Sequence, residues 1–525
     1  MAYITSIRSK ISSNNSSTTA LGERASFTGI GEDVSIYNSI TLNIVSSHNS
    51  TNKGISVQFS QNNQDWDIKL FDRYIASGNY SKVYSVQSKY FRVVYTNGDI
   101  AQNSFRLQSM LNMDNKNNQF QGNLVNYSQS SYDAFSRIRV SSPHTLFQIS
   151  HNNGKQNTLM CEKLSNGGTS TYLPNESAVD LSVSTTANSE VIRQSREYIT
   201  YQPGKSLLIL LTGVLNSNSN GNACLSRIGY FDDNNGIYFQ YTNQTISVVK
   251  RSRVSGSVVN TIVNQSEWNI DSLDGSGISG MIIDPTKAQI FIIDLEWLGV
   301  GRVRCGIDYQ GTIYYCHQFI NSNINTTTYM TRATLPIRYQ INNTGTSTGS
   351  GKLKMICSTV ASEGGYNPLG RIFSAGRGNG SSISVSTTLI PLMAIRLKSE
   401  FNRVNVKLYG FSLLSSGNTD ICLYLYHFLS PSSDPLTNER WVSAGDESSI
   451  EYDISSTALS TTNGLLLFQN YLYEKIDYNT NVFDRTINIT SNIDGVSDII
   501  VLAGQKLTNG RNNVFCSLQW TEYQT

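Results

Sequence analysis

From Ser26 to about Asn112 the chain alternates apolar and polar residues in short runs: Ile40-Leu42-Ile44, Ile55-Val57-Phe59, Phe91-Val93-Tyr95 and Phe105-Leu107. A period of two sends every second side chain to the same face, so each run predicts a half-buried strand. Turn-forming clusters such as Asn97-Gly98 separate the runs, and residues 26–112 predict a small β-sandwich. The preceding residues 1–25 are polar and rich in Ser and Asn, which predicts an arm that orders on a partner. Residues 113–132, dominated by Asn and Gln, predict a linker.

Beyond Asp133 the runs lengthen and become more apolar, predicting a large central β-domain over 133–395. In GYFDDNNGIYFQ (229–240), Asn235-Gly236 lies between two aromatic-rich runs and predicts a two-residue hairpin turn. A second turn is expected at Ser255-Gly256. Residues 288–319 predict three successive strands that turn near Gly299-Gly301 and Gln310-Gly311. After the Gly/Ser-rich stretch 376–388, runs such as VNVKLYGF, ICLYLYHFL and VFCSLQW predict a C-terminal β-domain over 396–525. Amphipathic helical spacing is nearly absent. The expected fold class is all-β: antiparallel sandwich or jelly-roll modules in series.

Composition narrows the function. The 525 residues include 40 basic and 38 acidic ones, giving a net charge of +2. So balanced a chain has no overall basic field, which argues against nucleic acid as a partner. The 29 tyrosines and a 39% hydrophobic share exclude a disordered chain. The longest apolar run, Leu207 to Leu215, falls far short of the roughly 20 residues of a spanning helix, so no membrane insertion is expected. The first residues show no secretory pattern. Seven cysteines without a CxxC pair predict buried, reduced thiols and synthesis in a host cytoplasm.

Motifs that could carry chemistry fail on spacing. GTSTGSGKL (345–353) has Thr346 where a phosphate loop needs its first glycine, and Leu353 where magnesium needs a hydroxyl. GVGRVRCG (299–306) opens no helix, and DDNNG (232–236) lacks the glutamate that closes a calcium loop. His48, His144, His151, His317 and His427 have no metal-ligand spacing. No metal or cofactor is expected.

The strongest catalytic candidate is FIIDLEWLG (291–299), in which Asp294 and Glu296 would share one strand face about 6.6 Å apart. Two carboxylates at such a spacing could serve a glycosidase. The stretch is similar to the catalytic strand of jelly-roll β-glucanases. That resemblance would make Glu296 the acid/base and Asp294 its auxiliary, but it puts Ile292, which cannot attack, at the nucleophile position. No enzymatic activity and no catalytic residue are expected, and the two carboxylates are expected to pair with Arg302, Arg304 or a neighbour. Trp66 could stack on a sugar or pack on an edge strand.

Several segments carry a wider resemblance: DAFSRIRVSSPHTLF (133–147), RIGYFDDNNGIYF (227–239), KAQIFIIDLEWLGVGRVRCG (287–306) and CSTVASEGGYNPLG (357–370). In this order they resemble a family of virion structural proteins of tailed phages and large double-stranded DNA viruses. The resemblance spans about 133–370 and implies a capsid- or fibre-associated protein located in the virion. It supplies no site residues. A carbohydrate-binding attachment protein is the alternative, and a polysaccharide hydrolase a more distant one. The partners it implies are other virion proteins, host-surface glycans and further copies of the chain, with a trimer favoured by analogy with viral fibres.

Overall fold

The structure is a computed structural model that describes residues 9–112 apart from 77 and 79, then 133, 143–217, 221, 223–346, 349–367, 369–378, 380–417, 419–472, 475–478 and 487–523. The expected linker, residues 113–132, and the first eight residues of the expected arm lie outside them. The chain is all-β, built of antiparallel sheets in series. Helical structure among the described residues amounts to two short 3₁₀ turns, Gln265–Glu267 and Ser399–Phe401. Two compact units divide at Asn126/Tyr127.

In the first unit, one sheet runs in the order Ser9–Ile11, Phe105–Asn112, Ser39–Ser46, Tyr80–Ser85. The facing sheet runs Ser26–Thr28, Tyr90–Asn97, Ser50–Ser60, Ile68–Asp72. The alternating residues that predicted these strands meet in the core: Ile40, Ile44, Val57, Phe59, Val93 and Tyr95 are all fully buried. One expectation needs correcting. Residues 9–25 are not a free arm, because Ser9–Ile11 pairs with Met110–Asn112 and closes the first sheet. Their attachment is polar, which is why apolar counting missed it. Asn15 is fully buried, with its amide donating to Ile30 O at 3.0 Å and its Oδ1 accepting from the Val93 N–H at 3.0 Å. A Cβ on Gly29 would sit 2.0 Å from that Oδ1, so glycine is required there.

The second unit opens with a large sandwich. Its eight-stranded sheet centres on the neighbours Gly351–Glu363, Ser206–Val214, Gln289–Leu295 and Val303–Tyr309. Its seven-stranded sheet runs from Met160–Ser165 through Ile337–Asn343, Cys224–Phe231 and Gly236–Thr242 to the edge strand Val259–Asn264. Between them lies one continuous core that includes Ile209, Tyr230, Phe239, Phe291, Ile293 and Tyr339. The three strands expected across 288–319 are present. The Asn235-Gly236 hairpin differs in detail, because Phe231 pairs with Gly236 and the loop is the four residues Asp232–Asn235. Asp232 closes it by accepting the N–H groups of Asn234 and Asn235, both at 2.8 Å, and only Gly236 takes positive φ, at 142°.

The C-terminal sandwich starts earlier than the predicted 396. Arg371–Arg377 pairs with the last strand, Asn512–Tyr523, and Ile390–Leu397 joins its six-stranded sheet, so both belong to this module and not to the central domain. The Gly/Ser-rich stretch read as a boundary is a connection between two of its strands. Trp520 is fully buried in the core and donates from Nε1 to Glu522 Oε1 at 2.8 Å.

Glu522 also accepts the Ser448 hydroxyl at 2.5 Å, the Ser449 N–H at 2.7 Å and the Ser449 hydroxyl at 2.6 Å. Burial works against ionisation, but these hydrogen bonds outweigh it and hold the carboxyl below its usual range. A carboxyl with a lowered folded pKa contributes fully above its unfolded value of about 4.3 and loses that contribution as pH falls through the folded one. The C-terminal sandwich is therefore expected to lose thermal stability in acid below about pH 4.3, with a shallower acid limb in Glu522→Gln, as followed by Trp520 fluorescence.

Candidate interdomain cleft

The residues singled out in sequence do not assemble into a catalytic site. Strand Gln289–Leu295 ends before Glu296, which starts the turn back to Arg302. Asp294 is fully buried, and its Oδ2 accepts from Arg304 Nη2 and from the Tyr315 hydroxyl at 3.0 Å. Ile292, on the same face as Asp294, is also fully buried. Asp294 thus sits in an internal ion pair with Arg304, and Glu296 lies along its own turn, where its Oε2 accepts the Arg302 N–H at 3.4 Å.

Trp66, in the first unit, is half-buried with the Arg92 guanidinium 4.2 Å over its ring, so packing already occupies that face. His48 lies 3.0 Å from the Ser47 hydroxyl, and His144 stacks on Tyr366 with ring centroids 5.3 Å apart. His151 contacts Ile356 O at 2.6 Å, and burial pulls its pKa down. Burial, aided by Lys250, lowers His317 to about 4. Among the described residues no group of three His, Cys, Asp or Glu could hold a metal ion. All seven cysteines are free and six are buried; burial pushes the Cys161 thiol up to about 11. Gly351 opens a strand, not a helix, so the phosphate-loop look-alike provides no anion site of that kind.

A concave feature of the second unit lies where its two sandwiches meet. A polar seam joins them. The Arg403 guanidinium donates to the buried Asp232 Oδ2 at 3.0 Å and packs 5.7 Å from the Tyr198 ring. The Asn405 and Asn488 amides donate to the Glu197 carboxyl at 2.6 and 3.1 Å, and burial pushes that carboxyl up. Asp498 accepts the Thr490 hydroxyl at 2.6 Å and the Ser430 N–H at 2.8 Å, with Arg196 at 3.4 Å. Burial opposes its ionisation, yet those bonds and His427, 3.3 Å away, keep it below the usual range.

Above this seam opens a cleft of about 570 Å³. On the central side, the hairpin tip contributes Asn234, the turn after strand Thr245–Ser252 contributes Arg253, and the approach to strand Ile337–Asn343 contributes Arg332 and Thr334. On the C-terminal side, the 3₁₀ turn supplies Glu400 and Phe401, and the end of the last strand supplies Tyr523. The two aromatic rings are half-buried. Lys398 Nζ lies 5.7 Å from the Phe401 ring, and Lys407 Nζ lies 5.4 Å from that of Tyr523. Arg253 donates to two neutral oxygens, Asn234 Oδ1 at 3.2 Å and Gly256 O at 3.5 Å.

The cleft thus combines apolar ring faces, amide and hydroxyl groups, and guanidinium donors. Its lining includes one carboxylate, Glu400. Of these residues, Asn234 lies in the DDNNG motif, which in sequence reads as a hairpin tip and not as part of a cleft. The lining residues sit on turns and a strand end as far apart as Asn234 and Tyr523, and only the meeting of the two sandwiches collects them. Among the described residues no helix is long and apolar enough to cross a membrane.

Residues 4–112 match the family described as the uncharacterised protein YqxG N-terminal domain. No curated protein matches the chain. Among solved structures, the chain is similar to the PBSX exported protein XepA, at 12% identity and a TM-score of 0.18, over 67% of this chain and 86% of that one. It is also similar to a legume lectin-like domain from Entamoeba histolytica, at 11% identity and a TM-score of 0.26, over 42% and 98%. The binding domain of botulinum neurotoxin serotype D aligns at 9% identity and a TM-score of 0.28, over 70% and 96%. Scores this low carry no functional reading.

Proposed function

We propose that the chain is a non-catalytic attachment protein that binds carbohydrate in the cleft between its central and C-terminal sandwiches. The observation that carries this reading is the lining of that cleft. Phe401 and Tyr523 offer ring faces on which a sugar's C–H groups can pack, and Asn234, Thr334 and Arg253 offer donors and acceptors for its hydroxyls. Its volume of about 570 Å³ lies within the range of small-ligand sites. The setting is a virion, as the sequence resemblance over 133–370 implies, with the protein acting as a homo-oligomeric fibre or capsid-associated component. Self-association fits the exposed edge strand Val259–Asn264, where Val259 and Ile262 are about half exposed.

A glycan array probed with the full chain tests the reading. Tyr523→Ala is expected to weaken retention of the bound glycans about three- to tenfold, the equivalent of about 0.5–1.5 kcal/mol of stacking. A chain that binds no glycan, or a Tyr523→Ala variant that binds like the parent, would defeat it.

A further inference from the structure

We infer that the sugar taken by this cleft is anionic, presenting a carboxylate or sulfate to Arg332 and Arg253. The inference rests on the carbohydrate reading above. It comes from the three arginines that line the cleft. Arg403 pairs with Asp232 at 3.0 Å. Arg403 is therefore neutralised within the wall and acts as a brace. Arg253 touches only neutral oxygens, and Arg332 makes no hydrogen bond or ion pair with any described residue. Both line the same cleft.

Two exposed guanidinium groups with spare N–H donors on the lining of one cleft suit a planar carboxylate or a tetrahedral sulfate, to which the arginine fork can donate two parallel hydrogen bonds. A neutral sugar would leave these charges unused.

Glu400 provides the internal control. It lines the cleft, is exposed, and has the Ser399 hydroxyl at 3.2 Å as its hydrogen-bond partner, with no ion pair among the described residues. Its negative charge opposes an anionic ligand. Removing Arg332 and removing Glu400 should therefore move binding in opposite directions, which no loss of folding would do.

The test measures binding of the full chain to immobilised lactose, 3′-sialyllactose and 3′-sulfolactose, alongside a glycan array of matched neutral and acidic pairs, at low and high salt. The expected result is that acidic members bind about tenfold or more tightly than their neutral partners, with the preference shrinking at high salt. Arg332→Gln should weaken the acidic member about tenfold and leave any neutral binding in place, whereas Glu400→Gln should strengthen it about threefold. Preference for sialylated over sulfated probes, or the reverse, identifies which anion the cleft takes. Equal binding of neutral and acidic partners would overturn the anionic inference while leaving carbohydrate binding intact. Acidic binding unmoved by both substitutions would also overturn it, because the anion would then sit elsewhere. Absence of binding across the whole array would overturn the carbohydrate reading itself.

Discussion

Arg304→Met is expected to destabilise the central sandwich by about 3–5 kcal/mol, because it strands the Asp294 carboxylate in the interior. Asp294 is fully buried and Arg304 is 2% exposed, so neither charge can recover its hydration. The guanidinium also lies 4.4 Å over the Tyr315 ring, whose hydroxyl shares the same Asp294 oxygen, and the substitution removes that packing as well. Replacing both partners, as in Asp294→Leu with Arg304→Met, should recover much of the loss, since a hydrophobic pair of similar volume has no ions to desolvate. Chemical denaturation of the single and double variants measures the difference. A double variant no more stable than the single one would show that the pair is not the main term. Because Asp294 belonged to the glycosidase-like stretch, the same experiment separates a structural role from a catalytic one: the predicted defect is in stability.

Trp520→Ala should cost the C-terminal sandwich about 3–5 kcal/mol. The indole is fully enclosed among neighbours that include Val406, Leu408 and Leu518, so truncation leaves a cavity in the core. It also removes the Nε1 donor that Glu522 uses alongside Ser448 and Ser449. Trp520→Phe should cost less, because it keeps most of the volume while still losing the hydrogen bond. Differential calorimetry of the full chain should show the transition of this sandwich moving down and that of the N-terminal sandwich unchanged. A uniform shift of all transitions would mean that the modules unfold as one.

How far the sequence reaches follows from which interactions are local. Period-two alternation marked Ile40, Leu42 and Ile44, or Phe91, Val93 and Tyr95, as core residues because strand geometry alone assigns every second side chain to one face. The all-β class and the strands across 288–319 were legible for the same reason. That Asp294 pairs with a nearby cation was legible, but among Arg302, Arg304 and other neighbours only the strand register selects Arg304, which lies directly opposite it. The polar N-terminal segment was not, because Asn15 and its neighbours are held by hydrogen bonds to strands such as Tyr90–Asn97, and the composition of a segment says nothing about its distant partners. Nor was the start of the C-terminal sandwich, where Arg371–Arg377 pairs with residues 516–522 at the far end of the chain.

The sequence by itself determined the class of structure and the strand faces, both of which depend on residues within a few positions of one another. Tertiary structure alone decided the cleft. Arg253 and Arg332 come from the turns of one sandwich, Glu400 and Tyr523 from the ends of another, and their charges act on one space only because Arg403, Asp232 and Glu197 join the two modules at that seam. Coulomb and stacking interactions act over a few ångströms, so residues nearly three hundred positions apart can form one site only after folding has brought them there.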